Sequence, residues 1–137
     1  MSNLETARAF FDACETGKGW EVCAQYCQTD AGFAAQSGAL ADISMLSAYC
    51  DWMKGLLVPL PDGRYELTGF AEDADRDTVV ASAVFRGTHT VDAGTGAPTG
   101  KSAASDYVYV MKFDGGKVSH MTKVWNDSHA LQQLGWA

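Results

Sequence analysis

Hydrophobic and polar residues follow two periods along this chain, a helical one in the first part and strict alternation in the second. Near the N-terminus, apolar side chains recur every three or four positions, which predicts an amphipathic helix. Its apolar positions are Leu4, Ala7, Phe10, Phe11 and Cys14. Ser2 and Glu5 have the spacing of a capping box, so we expect this helix to begin beside them.

Three further elements are predicted before the alternation starts. A short helix covers 20–27 and a short strand covers 31–36. Helical spacing then returns with an apolar face that runs from Leu46 to Leu57. We expect Asp42 to cap this third helix and Pro59 to end it.

The second part of the chain predicts four long strands and a final helix. Alternation covers 65–72, 78–91, 102–114 and 117–126, and a helix follows over 128–134. Helices that precede a run of antiparallel strands indicate the α+β class, in which the helices pack on one sheet. A chain of 137 residues is expected to form a single domain over 1–137.

Composition narrows the range of partners. The formal net charge of −7 argues against nucleic acid and against an anionic membrane surface, because both require a basic face. No apolar run approaches the roughly 18 residues of a membrane span. Residues 1–6 have neither the basic nor the apolar region of a secretory signal, so we expect a cytoplasmic protein.

The four cysteines, Cys14, Cys23, Cys27 and Cys50, lie in segments predicted to be helical. Cys23 and Cys27 are four residues apart and share a helix face, so they could form half of a metal site. No histidine or second cysteine pair lies near them in the sequence. We therefore favour reduced thiols packed as small apolar groups and predict no metal.

The turn at Asp114 and Gly115 sorts the side chains of the last two strands into two faces. It suits a two-residue type I′ hairpin, which pairs odd residues of one strand with even residues of the next. The first face then carries Ser105, Tyr107, Tyr109 and Met111 beside His120, Thr122, Val124 and Asn126. The second face carries Asp106, Val108, Val110 and Lys112 beside Met121, Lys123, Trp125 and Asp127.

The first face is expected to line a ligand cavity, because it is rich in aromatic and polar-tipped side chains. If Val91 opposes Lys101, His89 lies beside Ala103 on this face. Helices should roof the cavity with further aromatic rings. The predicted lining residues are Tyr26, Tyr49, Trp52, Phe85, Tyr107, Tyr109, His120 and Thr122.

Both faces are largely apolar, so the sheet needs two covers. The helices cover the first face, and a second copy of the chain is the natural cover for the other. This predicts a homodimer through the outer sheet face. The alternative is a solvated outer face on which Asp106 and Lys123 pair.

Two stretches of the sequence carry a family resemblance. Gly87-Thr88-His89 and, after a Gly-rich connection, Ala97-Pro98-Thr99-Gly100-Lys101 resemble the "GTH … PPTGK" signature of the SnoaL-like polyketide cyclases, within the nuclear transport factor two-like superfamily. The ending at 131–135 is similar to the family's "…LL-x-QLG". The resemblance implies a cone-shaped fold, with N-terminal helices packed on a curved antiparallel sheet, and it also implies a dimer.

What the resemblance implies for chemistry centres on residue 126. Members of the family close a polyketide ring by an intramolecular aldol step, with no metal and no organic cofactor. Their base is an aspartate in "GKIVEHW-x-V-x-D", and an alignment without gaps over 116–125 places that position on Asn126. An asparagine cannot take the proton, although it can form hydrogen bonds. The adjacent Asp127 stays open as the cap of the last helix, a surface residue or the base.

A histidine is the other candidate for proton transfer, because it titrates near neutrality. By the register above, His89 lies two strands from Asn126, or about 10 Å away, so the two could flank one small substrate. His120 is six residues from Asn126, about 20 Å along the strand, which is too far. The alternatives are structural: His89 bonded to the loop backbone, and His120 held by a tyrosine.

Two functions remain open at this point. In the first, the chain is a cofactor-free acid–base enzyme (a cyclase, isomerase or dehydratase) acting on a hydrophobic carbonyl compound. His89 would transfer the proton and Asn126 would orient the substrate or stabilise an oxyanion. In the second, the chain is a non-catalytic module that binds a small hydrophobic molecule. One hollow shared by His89 and Asn126 would favour the enzyme, whereas a buried His89 with both nitrogens bonded would disfavour it.

Overall fold

The structure is a computed structural model that describes residues 1–94 and 96–137. Thr95, in the predicted connection over 92–101, lies outside the described residues. The helices are α1 (Asn3–Glu15), α2 (Trp20–Cys23), α3 (Leu46–Leu56) and α4 (Asp127–Leu134). The strands are β1 (Cys27–Ala35), β2 (Arg64–Asp73), β3 (Thr78–Thr88), β4 (Ser102–Asp114) and β5 (Lys117–Trp125).

The start of α1 follows the sequence prediction. The Ser2 hydroxyl accepts a hydrogen bond from the Glu5 amide at 3.1 Å, and the Glu5 carboxylate accepts from the Ser2 amide at 3.4 Å, so the capping box is confirmed. The predicted second helix is shorter than expected. It ends at Cys23 and continues as a single 3₁₀ turn to Tyr26, so Cys27 already belongs to β1.

The third helix begins later than predicted, after Met45 rather than at Asp42. Its N-cap residue makes no side-chain capping bond. Met45 forms an isolated antiparallel bridge with Gly32, and the Ser44 carbonyl accepts the Phe33 amide at 2.9 Å. These contacts hold the residues before Leu46 in an extended conformation, so the helical backbone cannot start earlier.

The strands form one sheet in the order β1-β5-β4-β3-β2. The pair β1 and β5 is parallel, and the other three pairs are antiparallel. The helices α1, α3 and α4 pack on the sheet, and the main apolar core lies between the two layers. This confirms the predicted α+β class.

The register of β4 and β5 contains an irregularity that the sequence analysis did not anticipate. Asp114 pairs with Lys117 across the two-residue turn, and the φ angles of Gly115 (60°) and Gly116 (80°) are those of the predicted hairpin type. The pairing then shifts, because Ser119 has no partner between Val118 and His120. Such a β-bulge exchanges the faces of all residues beyond it.

The predicted faces of β5 are therefore wrong. Tyr107, Tyr109 and Met111 pair with Trp125, Lys123 and Met121, so these six residues share the face under the helices. His120, Thr122 and Val124 lie on the outer face instead. The bulge at Ser119 is the physical reason, since a regular hairpin would have given the opposite assignment.

The pairing of β3 with β4 differs from the prediction by two residues. Phe85 opposes Ser105, and Ala83 opposes Tyr107. A shift of two positions preserves the faces, so the predicted inward direction of this part of β3 is kept. The strand ends at Thr88, and His89 continues the pairing through its own amide and carbonyl, which bond to Lys101 and Gly100 at 3.0 and 2.9 Å.

Beyond the sheet pairs, two further points bear on the partners of the chain. In the described part of the chain, no helix combines the length and the apolar character needed to span a membrane.

Val80 and Val124 are exposed on the outer sheet face. The homodimer through that face and the cytoplasmic location stay predictions.

Gly63 lies where the segment after α3 turns into β2, and a side chain there has no room. A Cβ on Gly63 would collide with Leu57 Cδ2 and lie 3.0 Å from both the Leu60 carbonyl oxygen and Phe85 Cζ. We expect Gly63→Ala to lower the free energy of unfolding by about 1–3 kcal/mol through overpacking, measured by urea denaturation.

Gly55 provides the matched control for that substitution. It is an exposed residue of α3 with nothing within 4 Å of a built Cβ. Gly55→Ala should therefore stabilise the chain by about 0.5–1 kcal/mol through helix propensity alone. Equal effects from the two substitutions would contradict the packing described around Gly63.

Candidate functional site

Lys123 lies in the middle of β5 and points under the helices rather than to solvent. Only 5% of its surface is exposed, which is rare for a lysine. Because the bulge at Ser119 precedes it, Lys123 falls on the same face as Met121 and Trp125. The local sequence thus places an amine where strand alternation otherwise places core residues.

Four aromatic rings surround the Lys123 amine, and we refer to them together as the aromatic box. Nζ lies 4.4 Å from the ring centroid of Trp125, 5.2 Å from those of Tyr49 and Tyr107, and 5.5 Å from that of Trp52. All four distances are within the range of cation–π attraction. The box therefore stabilises a cation at Nζ while keeping water away from it.

A small cavity of about 60 Å³ opens beside the aromatic box, between the sheet, α3 and α4. Most of its wall is apolar. The lining residues are Glu15, Ala39, Trp52, Met53, Leu56, Leu60, Phe85, Ala103, Ser105, Tyr107, Lys123, Trp125, Ala130, Leu131, Leu134 and Trp136. The accessible wall is almost entirely apolar, and the lining residues with a carboxylate, hydroxyl or amine group are Glu15, Ser105, Tyr107 and Lys123.

Glu15 brings a buried carboxylate to this cavity from the last residue of α1. Only 1% of its surface is exposed, and it accepts a short hydrogen bond from the Tyr109 hydroxyl. The Tyr49 hydroxyl lies 2.8 Å from that of Tyr109. Because Tyr109 donates its single proton to Glu15, Tyr49 must be the donor to Tyr109. Burial is the main cause that raises the pKa of both phenols. For Tyr49, the nearby charge of Glu15 is the next largest cause.

Tyr107 has a buried hydroxyl without a normal hydrogen bond. The ring lines the cavity, and its oxygen has no hydrogen-bond partner among the described residues. Burial and then the charge of Glu15 raise the pKa of Tyr107, so the phenol keeps its proton. A buried polar group left unpaired costs about 1–3 kcal/mol, and a ligand oxygen in the cavity would remove that cost.

The amine of Lys123 is equally short of polar partners. Within the described ranges, no carboxylate oxygen lies within 4.0 Å of Nζ, and the three ion pairs found there are all between exposed groups elsewhere. Burial lowers the pKa of Lys123, and the more distant Glu15 carboxylate opposes that effect. The amine therefore releases its proton more readily than an exposed lysine does.

His89 does not face this cavity, and the predicted hollow shared with Asn126 is wrong. His89 is fully buried, and its Nδ1 accepts hydrogen bonds from the Thr99 amide at 3.2 Å and from Trp136 Nε1 at 3.0 Å. Nε2 donates to the Val91 carbonyl at 3.0 Å. The ring joins the 89–101 connection to the C-terminal segment, which is the structural alternative considered above.

Asn126 and Asp127 lie at the opposite end of α4 from His89. The Asn126 side chain accepts the His129 amide at 3.2 Å and is the N-cap of α4, one residue before the predicted cap. Asp127 Oδ2 accepts the Ala39 amide at 2.8 Å. Both residues border an open groove on the outer side of the sheet. The two predicted catalytic positions therefore lie near opposite ends of α4, a helix of eight residues that is about 12 Å long.

The predicted lining residues divide into three groups. Trp52, Phe85 and Tyr107 line the cavity. Tyr49 and Tyr109 are fully buried behind it in the hydrogen-bonded chain to Glu15, and Tyr26 packs half-buried against the core. His120 and Thr122 are on the outer face, because the bulge reverses their direction; Nε2 of His120 lies 3.3 Å from the Thr122 hydroxyl, not against a tyrosine.

The sequence analysis missed both charged residues of the cavity, Glu15 and Lys123, along with most of its apolar lining. Glu15 follows Ala7 and Phe11 at intervals of four residues, so it continues the buried stripe of α1. Lys123 alternates with Met121 and Trp125. In both cases, the sequence places a charged residue at a position where the helical or strand period predicts a buried apolar residue, and this was the available sign of a buried charge.

A cluster of three thiols lies apart from the cavity. The sulfur atoms of Cys14, Cys23 and Cys50 are all within 4.8 Å of one another, and Cys27 is not part of the group. All four cysteines are buried and free. Burial raises the pKa of Cys14, and burial raises the pKa of Cys27 to about 12. Hydrogen bonds from the Cys14 and Cys50 thiols lower the pKa of Cys23 to about 4. The three sulfur atoms are close enough to bind one soft metal ion, so the absence of a metal stays a prediction.

Comparisons with known proteins agree with this architecture. The family model of the SnoaL-like polyketide cyclases matches residues 5–134. IdmH of Streptomyces antibioticus, provisionally described as a polyketide cyclase, is 18% identical with a TM-score of 0.78, and the match covers 98% of this chain and 99% of that chain. No curated protein matches the chain.

Two further solved structures support the predicted fold. A provisionally described polyketide cyclase of Acidithiobacillus ferrooxidans is 21% identical with a TM-score of 0.77, covering 100% of this chain and 97% of that one. A protein of Catenulispora acidiphila with a ketosteroid isomerase-like fold is 16% identical with a TM-score of 0.70, covering 96% and 92%. The predicted nuclear transport factor two-like fold is confirmed.

The burial of Lys123 predicts a specific pH dependence of stability. The folded pKa lies below the usual 10.5, so the unfolded chain binds this proton more tightly, and the wild type gains stability as pH rises through the folded pKa toward 10.5. Urea denaturation between about pH 7 and about pH 10 measures the free energy of unfolding of both proteins. Because only the wild type gains stability with pH, the value for Lys123→Met should fall relative to the wild type by up to about 1.4 kcal/mol per pH unit. Lys112→Met, at an exposed lysine, should give a constant difference. Parallel curves for Lys123→Met and the wild type would contradict the burial.

The hydrogen bonds of His89 predict a structural effect of its removal. His89→Ala should lower the free energy of unfolding by about 2–4 kcal/mol and speed hydrogen exchange at the Thr99 amide. His129→Ala, at an exposed residue of α4, should change stability by less than about 0.5 kcal/mol. Unchanged stability together with unchanged exchange at Thr99 would remove the structural assignment of His89.

Proposed function

The chain belongs to the SnoaL-like polyketide cyclase family, and on that basis we propose that it is a cofactor-free acid–base catalyst acting on a small hydrophobic carbonyl compound. The reaction class is a cyclisation, an isomerisation or a dehydration. All three begin with removal of a proton from the carbon beside a carbonyl, so they need a base and a group that stabilises the oxyanion.

One observation carries this proposal: Glu15, Tyr107 and Lys123 all line a single, largely apolar cavity. In the proposed mechanism the Glu15 carboxylate takes the proton as the carbon–hydrogen bond breaks. The electron pair moves onto the carbonyl oxygen, which lies against the Tyr107 hydroxyl and the Lys123 amine. The resulting enolate then attacks a second carbonyl or takes a proton at another carbon.

The surroundings of Glu15 favour its role as the base. Its hydrogen bond from Tyr109, supported by Tyr49, fixes the position of the carboxylate before a substrate arrives. A fixed catalytic group avoids reorganisation during the reaction. The apolar wall excludes water, which strengthens every charge interaction inside the cavity.

The size of the cavity limits the substrate. A volume of about 60 Å³ is less than half of the roughly 150 Å³ that holds benzene in an engineered protein cavity. Compact carbonyl compounds are therefore the substrate class that the closed cavity favours.

The second candidate is a module that binds the same class of molecule without reacting with it. Asn126 favours this alternative, because it stands at the position of the family's aspartate and is occupied as the cap of α4. Under this function the polar groups of the cavity only orient the ligand.

Deuterium incorporation tests the proposal without knowledge of the natural substrate. With acetone, the smallest ketone, in heavy water, we expect the wild type to speed exchange beside the carbonyl above a blank of buffer and free lysine. Glu15→Gln keeps an acceptor for Tyr109 and should lower the protein-dependent rate by about 10²-fold. Glu21→Gln, at an exposed position of α2, should leave that rate unchanged.

The same measurements separate the two candidates. Proton NMR follows the exchange, and calorimetry follows the binding of acetone. Binding without exchange would overturn the enzyme and favour the binding module. Exchange that is unaffected by Glu15→Gln would remove Glu15 as the base.

A further inference from the structure

Lys123 differs from the other five lysines of the chain in its burial and in its position beside a cavity. Lys18, Lys54, Lys101, Lys112 and Lys117 are exposed, whereas Lys123 is 5% exposed and borders a cavity. In the described part of the chain its Nζ makes no hydrogen bond and no ion pair within 4.0 Å. The amine is therefore not held in an ion pair that would keep it protonated and occupied.

We propose that Lys123 condenses with the aldehyde or ketone group of the ligand in this cavity and forms an imine. This inference rests on the proposed function and makes the activation of the carbonyl covalent. A neutral amine in an apolar pocket is the form that attacks a carbonyl. The ligand class is correspondingly narrow: a compact aldehyde or ketone with an apolar remainder.

The step balances without an oxidant, a reductant or a co-reactant. The lone pair of Nζ forms a bond to the carbonyl carbon, and the carbonyl π electrons move to the oxygen, which takes a proton. The nitrogen then loses a proton, which gives a neutral carbinolamine. Its hydroxyl takes a second proton and leaves as water as the nitrogen lone pair forms the second carbon–nitrogen bond, and the iminium nitrogen then loses its remaining proton. The product is a carbon–nitrogen double bond, and hydrolysis reverses the sequence.

The neighbouring groups are suited to these proton transfers, since one type delivers protons to the oxygen and the other removes them from the nitrogen. The buried Tyr107 hydroxyl makes no hydrogen bond of normal geometry among the described residues, although Glu15 lies near it, and it can donate its proton to the ligand oxygen. Glu15 lines the same cavity and can accept the proton that the nitrogen loses. Both groups are in place before the ligand binds.

The aromatic box is suited to the charged intermediate. An iminium ion carries its positive charge beside the position of Nζ, and the four ring centroids lie 4.4–5.5 Å from that atom. Aromatic faces attract such a cation. The rings also exclude water from one side of the imine, which slows its hydrolysis, and burial lowers the pKa of the parent amine.

Reductive trapping with acetone, the smallest ketone, tests the inference. Sodium cyanoborohydride is added to the native protein with acetone, and mass spectrometry of the intact chain and of its peptides locates each isopropyl group. We expect Lys123 to be modified before any exposed lysine, because it borders the cavity and its lowered pKa leaves more of the amine unprotonated. Lys112→Arg should leave this pattern unchanged.

Two comparisons keep the test decisive. Lys123→Arg should abolish the selective adduct, since a guanidinium forms no imine under these conditions. The second uses the wild type alone: in urea the preference for Lys123 should disappear, because the cavity is lost. Modification of exposed lysines only, or equal modification of all six lysines in the native protein, would overturn the inference.

The outcome is distinguishable from that of the proposed function. Deuterium exchange that continues in the wild type without any adduct at Lys123 would overturn the imine and leave hydrogen-bond activation in place. An adduct at Lys123 without exchange would support the imine and overturn the acid–base function. Exchange retained in Lys123→Arg would likewise contradict the covalent route.

Discussion

The position of one unpaired residue in β5 determines what the inner surface of this protein contains. Ser119 breaks the pairing between β4 and β5, and every side chain after it faces the side opposite to that in a regular hairpin. Without the bulge, Thr122 and Val124 would lie under the helices and Lys123 would be on the surface. With it, an amine enters the core. The candidate chemistry therefore depends on a local feature of the backbone.

Placing that amine in the core has an energetic cost that the surroundings partly offset. The effective penalty for burying an ion is several kcal/mol, and a cation–π contact contributes about 0.5–2 kcal/mol. The four rings and the distant Glu15 charge thus compensate for much of the loss of hydration. Burial still dominates, and the pKa of Lys123 is lowered. Because these opposing effects are of similar size, a bound ligand can readily change the protonation of Lys123, and such perturbed groups are common in functional sites.

Much of the fold could be predicted from periodicity and turn chemistry, because these are local properties. The capping box at Ser2 is found where the sequence places it, the hairpin turn lies one residue later than predicted, at Gly115 and Gly116, and the four long strands agree with their predicted ranges to within three residues at each end. The late start of α3 could not be predicted, since a bridge between Met45 and Gly32 fixes it. The faces of β5 were assigned wrongly for a related reason: a bulge changes the alternation by one residue and leaves no strong mark in composition.

The candidate site was predicted less well than the fold, and the two histidines show why. His89 was expected to serve the substrate, but its ring nitrogens bond to the backbone and to Trp136. A sequence pattern shows that a histidine is present without showing what its nitrogens bind. Lys123 and Glu15 had the opposite problem, since charged residues are usually assigned to the surface. A polar residue in phase with a buried stripe is the more informative pattern.

The contact between Trp136 and His89 has a consequence for molecular size. Trp136 forms part of the cavity wall, and its indole nitrogen is tied to His89 at 3.0 Å. A guest that fits the closed volume leaves this tie intact. A bulkier guest must push the indole aside and break a bond whose net contribution is about 0.5–1.5 kcal/mol. Discrimination between guests is then gradual, with affinity declining by up to about one order of magnitude once the wall has to yield.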